Sequence, residues 1–209
     1  MSDQNKVQWV YAAGDNDELA KRYDQWASTY DQDLEQDFVW NGHVRGVEVF
    51  VKFVTPDSTV IDVGCGTGLA GSELKAQGFN YIDGFDMSQG MLDQAQIRGI
   101  YGDLKIGVLG TTLDYLTGSY DAAIATGFFS VGHAPASGWY EVARIVKPGG
   151  YFILTIRPDI FESAGFHTKE GELIDSGKWT LIQITEPEQF LAKGEPNLLH
   201  EIRTYQILK

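Results

Sequence analysis

The chain has only one cysteine, Cys65, in 209 residues. That excludes an internal disulfide and the small stapled scaffolds of the secreted world. Cations are also scarce: 16 Lys and Arg stand against 29 Asp and Glu, a formal charge of −13. A phosphate backbone is repelled by such a surface as a whole, which argues against DNA or large RNA as a partner unless a local basic patch exists. No apolar run is long enough to span a bilayer, and no signal-peptide pattern is visible. These absences lead to the expectation of a reducing, soluble, cytoplasmic setting. Metal ligation is not expected either, because His43, His167 and His200 are scattered without ligand spacing. At 209 residues the chain supports one substantial core and is too short for a cofactor domain plus a separate catalytic domain.

What the chain does have is Val60-Ile61-Asp62-Val63-Gly64-Cys65-Gly66-Thr67-Gly68-Leu69, an apolar strand ending on a carboxylate and running into a glycine-rich turn. Glycine takes left-handed angles and lets a backbone lie flush against a ligand, and the residues from Ala70 to Ala76 read as a helix whose free N–H groups face the same spot. Two registers compete. Gly66-Thr67-Gly68-Leu69-Ala70-Gly71 satisfies the dinucleotide pattern G-x-G-x-x-G, with Asp86 at the distance of a ribose-binding acid. That register would leave Gly64 and Cys65 to finish a buried strand, where glycine is unfavourable. A turn beginning at Gly64 is the simpler reading.

Further motifs follow in order. Tyr23-Asp24-Gln25-Trp26-Ala27-Ser28-Thr29-Tyr30-Asp31 precedes the loop; Gly84-Phe85-Asp86-Met87-Ser88 and Met91-Leu92-Asp93-Gln94-Ala95 come after it. Tyr101-Gly102-Asp103-Leu104, Tyr120-Asp121-Ala122-Ala123-Ile124 and the run from Glu141 through Lys147-Pro148-Gly149-Gly150-Tyr151 complete the series. With these, the chain from about Leu19 to the C-terminus resembles the class I S-adenosylmethionine-dependent methyltransferases. The resemblance implies an α/β, Rossmann-like three-layer sandwich with a mostly parallel seven-stranded sheet and an antiparallel C-terminal strand. It implies S-adenosyl-L-methionine as cofactor, S-adenosyl-L-homocysteine as product, and in-line methyl transfer to a small molecule or exposed side chain.

It also assigns residues. Asp86, at the end of the second strand, is expected to accept from both ribose hydroxyls, since a carboxylate is acceptor-only; the alternative is a helix N-cap, for which Ser88 is the better candidate. Met87 packs on the adenine or simply in the core. Asp103 accepts from the adenine amine with Leu104 offering its backbone N–H, unless Asp103 only forms a turn. Gly64, Gly66 and Gly68 form the loop, Asp62 supports it from behind, and Cys65 fills a small packing space without a basic neighbour to activate it. Thr126 closes the cofactor set from the fourth strand. Tyr23 and Tyr30, seven residues apart on one helical face, present hydroxyls or ring edges to the methionine end, or pack. His133, just past the fourth strand, is the candidate general base, with a structural histidine as the alternative. Arg157 either binds an acidic substrate or pairs with a carboxylate. The Asn-Pro-Pro-Tyr-like motif of amino-group methyltransferases is absent.

Residues 1–209 read as one domain, with 1–15 frayed and 17–53 forming N-terminal helices that cover the cofactor site. Helices are expected over 18–38 and 46–53, and strands over 59–63, 81–86, 101–103, 121–126 and 151–157, alternating as in a parallel sheet with right-handed crossovers. The alternating runs 179–185 and 202–208 read as a terminal pair added to that sheet. The polar, glycine-punctuated segment 166–177 reads as a loop over the active-site face or as an insertion. Besides an active methyltransferase, the pattern admits an S-adenosylmethionine-binding protein with weak or no catalysis that acts through partners, and an NAD-dependent oxidoreductase.

Overall fold

The computed structural model describes residues 6–130, 132–193, 195 and 197–209. Its centre is a sheet in the order β3-β2-β1-β4-β5-β8-β6. The strands are β1 (Thr59–Val63), β2 (Tyr81–Asp86), β3 (Leu104–Ile106), β4 (Tyr120–Phe129), β5 (Val146–Ile156), β6 (Trp179–Ile184) and β8 (Leu199–Ile207), and a short β7 (Glu188–Gln189) pairs with β8. β1 to β5 are parallel, whereas β8 runs antiparallel to β5, β6 and β7. The expected mostly parallel sheet with an antiparallel C-terminal strand is present, with β7 as one strand more than the seven expected. β1 forms where a largely apolar run lies between Pro56 and the glycine turn. Both faces of β1 are covered: Val60 enters one core with Val47, Phe50 and Leu74, and Ile61 and Val63 enter the other with Trp139, Phe152 and Tyr205. The strand order reverses between β1 and β4, and the crevice outside the carboxyl ends at such a point is where open α/β sheets bind ligands.

Five expectations about local structure change. Residues 1–5 lie outside the described residues, but the rest of the supposedly frayed 1–15 holds α1 (Lys6–Tyr11), with Val7 and Val10 buried. Two buried residues are too few to register as a period. The single helix expected over 18–38 is α2 (Asn16–Trp26), α3 (Tyr30–Asp33) and a π-helical turn, Leu34–Phe38. Ser28 and Thr29 offer the backbone a competing bond partner, and the Thr29 hydroxyl donates to Asp33 at 2.8 Å. The turn ends on Val39 at φ 51°, a left-handed conformation that a β-branched residue holds only under strain. α4 (Gly42–Phe50) then starts earlier than the expected 46–53.

The third strand lies later than the expected 101–103, because residues 98–103 are occupied beneath the glycine loop: Arg98 reaches Thr67, and Tyr101 reaches Asp62. Segment 166–177 is neither loop nor insertion but α9 (Phe166–Asp175), which buries Phe166, Glu170 and Leu173. Its inward face carries a charge, which hides the period: Glu170 accepts from Arg203 at 2.8 Å and from the Tyr205 hydroxyl at 2.5 Å.

Candidate cofactor site and the adjoining cavity

Val63 ends β1, and the chain then turns with φ of 65° at Gly64, 53° at Gly66 and 92° at Gly68. Left-handed angles at these three positions belong to a turn that starts at Gly64. Gly71, the third glycine of the dinucleotide register, is an ordinary residue of α5 (Leu69–Ala76), where a Cβ would collide with the Tyr101 hydroxyl. Asp62 lies buried behind the loop and accepts from the Tyr101 hydroxyl at 2.7 Å and from the Gly71 N–H. Burial pushes its carboxyl up to about 7. Cys65 is buried with its thiol against Gly84, and burial pushes that thiol well above its ordinary range, consistent with packing rather than chemistry.

Asp86 faces the loop from the end of β2. One carboxylate oxygen accepts from the Ser88 N–H at 2.9 Å and the other from the Gly66 N–H at 3.0 Å. Burial raises this carboxyl to about 6 against the pull of those bonds. The cap of α6 (Gln89–Ile97) is Ser88, whose hydroxyl accepts from Met91 N–H at 3.1 Å. Asp86 therefore does not serve as the cap.

A cavity opens between these groups. Tyr23, Tyr30, Gly64, Gly66, Asp86, Met87, Thr126 and His133 all line it, together with Met91, Gly127 and Phe128. His133 is engaged at both ring nitrogens, Nε2 with the Tyr23 hydroxyl at 2.7 Å and Nδ1 with the Ser130 hydroxyl at 2.9 Å. Asp103 and Leu104 are not brought to this cavity. Leu104 pairs with Gly84 and Ile106 with Asp86, so Asp103 stands beside Asp83, to whose carboxylate its N–H donates at 2.9 Å, with Lys105 at 3.5 Å from its own carboxylate. β3 begins where it was expected to end, which keeps both residues out of the cavity lining.

Sequence reasoning missed the residues that hold the N-terminal helices in place. Asp24 accepts from the Ser88 hydroxyl at 2.6 Å and from the Gly90 N–H at 2.8 Å, tying α2 to the start of α6. Asp31 accepts from the Thr67 hydroxyl at 2.5 Å and pairs with Arg98, tying α3 to the glycine loop. The signal was present: each aspartate directly follows one of the two tyrosines already singled out. A second cavity was also not foreseen; it shares Tyr23, Tyr30, Thr126 and Gly127 with the first and includes Tyr11, Trp40, Ser130, Thr155 and His200. Arg157 is taken up by Asp159 at 3.0 Å and by Tyr11. His167 is exposed beside Glu162, and His43 lines a separate hollow.

A glycine turn, a strand-end acid and an aromatic cover at a topological switch point define a nucleoside-type cofactor site on a Rossmann-like fold. Residues 61–154 match a family model described as a methyltransferase domain. The chain belongs to the class I S-adenosylmethionine-dependent methyltransferases, and S-adenosylmethionine is the cofactor of that family.

In particular, 71% of the chain aligns with methyltransferase-like protein 27 of Homo sapiens, at 38% identity over 155 residues that span 62% of the human protein. The 18S rRNA (guanine(1575)-N(7))-methyltransferase of Saccharomyces cerevisiae is 40% identical over 70 residues, 34% of this chain and 26% of the yeast protein. The chain thus spans less than two thirds of either relative. Among solved structures, the [4+2]-cyclase SpnF superposes with a TM-score of 0.69 at 15% identity, over 94% of this chain and 98% of that one. That similarity is one of fold.

Proposed function

We propose that the chain transfers a methyl group from S-adenosylmethionine to a small molecule or an exposed side chain, and that residues 1–209 act as one domain whose 17–53 region closes the site. The observation that carries this reading is the Asp86 carboxylate in the wall of a cavity bounded by the positive-φ glycines and by Tyr23 and Tyr30. The donor set suits an adenosyl group. Asp86 accepts from the backbone N–H groups of Gly66, Ser88 and Met87, and a carboxylate's two oxygens still have acceptor capacity to offer ribose hydroxyls. The position a Cβ would take at Gly66 is open, leaving a backbone cradle. Met87 offers an apolar face to the base, and the rings of Tyr23 and Tyr30 favour a positive charge beside them.

When bound, S-adenosylmethionine supplies a methyl group already activated on a sulfonium. The chain's own task is then to hold the acceptor in line and keep water out. Trp26 and Leu19, both buried, seat the covering helix so that it excludes solvent. An acceptor that must lose a proton would pass it to the Tyr23–His133 pair, where Nε2 of His133 and the Tyr23 hydroxyl already share one hydrogen bond.

Calorimetry with S-adenosylmethionine, S-adenosylhomocysteine and NAD tests the reading. Micromolar binding of the two adenosyl ligands and no heat with NAD is expected; binding of NAD alone would end it.

A further inference from the structure

We infer that the second cavity seats the methyl acceptor and selects an uncharged aromatic small molecule bearing one hydroxyl or ring N–H group, which His200 reads by hydrogen bonding. The inference rests on the methyltransferase reading above and adds to it the chemical class of the acceptor.

Charge makes the first selection. Among the described residues no Asp, Glu, Lys or Arg lines this cavity. Arg157, the cation whose field reaches His200, is already held by Asp159 and Tyr11. A carboxylate, phosphate or ammonium entering here would lose its hydration and meet no counter-charge. Shape makes the second. Tyr11, Tyr23, Trp26, Tyr30, Trp40 and Phe129 present ring faces and edges, which suit a flat apolar body better than a branched polar one. Val7, Val10 and Tyr11 of α1 form one wall of the cavity.

His200 supplies the polar point. It stands near the head of β8, stacked on Phe190 with centroids 5.3 Å apart and edge-on to Trp40 at 5.5 Å, so its ring is fixed. Its Nδ1 is buried without a hydrogen-bond partner. An unpaired polar atom in a buried ring is costly, and the ring that carries it lines the cavity. Burial, and then the Arg157 charge, push the imidazole down to about 4, so at neutral pH it is uncharged, with one nitrogen to donate and one to accept. Such a group matches a neutral O–H or N–H.

The test uses the full chain saturated with S-adenosylhomocysteine, whose own binding is measured first so that failure of the cofactor reading shows separately. Four para-substituted benzene probes are then titrated: 4-ethylphenol, tyramine, 3-(4-hydroxyphenyl)propanoate and 4-ethyltoluene. We expect 4-ethylphenol to bind about tenfold or more tighter than either charged probe. His200→Phe keeps the stacking surface and removes the hydrogen bond; it should weaken 4-ethylphenol about tenfold and leave 4-ethyltoluene unchanged. Leu191→Trp, which fills the cavity, should abolish binding of every probe while S-adenosylhomocysteine affinity persists. A charged probe that binds best, a His200→Phe protein indifferent to the hydroxyl, or no probe binding to the S-adenosylhomocysteine complex would each overturn the inference.

Discussion

At Asp86, burial and hydrogen bonding pull the carboxyl in opposite directions, and burial prevails, raising it from 3.8 to about 6. Between those two values the folded chain holds a proton that the unfolded chain has released, so stability falls as pH rises through the window; Asp62, raised to about 7, extends the fall. The thermal midpoint of the ligand-free protein should therefore decline from pH 5 to pH 7.5 in scanning calorimetry, and decline less in Asp62→Asn. Ligand affinity should move the other way. An ionised Asp86 accepts from both ribose hydroxyls, more strongly than a protonated carboxyl that has one oxygen turned donor, so S-adenosylhomocysteine should bind more tightly as pH rises toward and past about 6. Asp86→Ala should weaken it by about 1.5–3 kcal/mol, the range for a hydrogen bond to a charged group, and flatten that pH dependence. Unchanged affinity in titration calorimetry would remove Asp86 from the ribose.

Among the elements, α2 and α3 combine tight seating with few anchors. Asp24 and Asp31 hold them to α6 and to the glycine loop, and strained Val39 lies just beyond them. Hydrogen exchange should find amides from Ala20 to Asp33 exchanging quickly in the free protein and slowly with S-adenosylhomocysteine, while Val60 to Val63 stay protected throughout; equal protection in both states would make these helices ordinary packing. The same elements mark how far the sequence could be read. β1 and β2 were legible to the residue because both faces are buried and their ends are punctuated by turns. β3 was not, since Tyr101 and Arg98 are fixed by partners distant in sequence. The glycine loop and Asp86 were legible because one short stretch carries the whole turn. The second cavity draws on α1, α2, β4, β5 and β8, and no local pattern joins Tyr11 to His200.

For the molecule as a whole, the charge of −13 bears on the acceptor. The yeast relative is named for guanine methylation in 18S rRNA, but the alignment covers 34% of this chain. Self-repulsion between an acidic surface and phosphate should prevail over any similarity of the cofactor half. Filter binding with an 18S rRNA fragment at about 0.15 M salt should detect no complex, and tight binding that weakens steeply with added salt would reverse this expectation. Among the described residues no helix is long and apolar enough to cross a membrane.

The place of β8 has a consequence for synthesis. It is the last strand of the sheet in chain order, yet it lies between β5 and β6. A ribosome therefore exposes β6 before the strand it must pair with exists, and until then β5 remains an open, apolar edge able to recruit a foreign strand. The cofactor loop is finished early and His200 arrives late, on the strand that seals the edge. A nascent chain can thus hold its cofactor half while lacking the residue proposed to recognise the acceptor, and the chance of misassembly is highest just before β8 emerges.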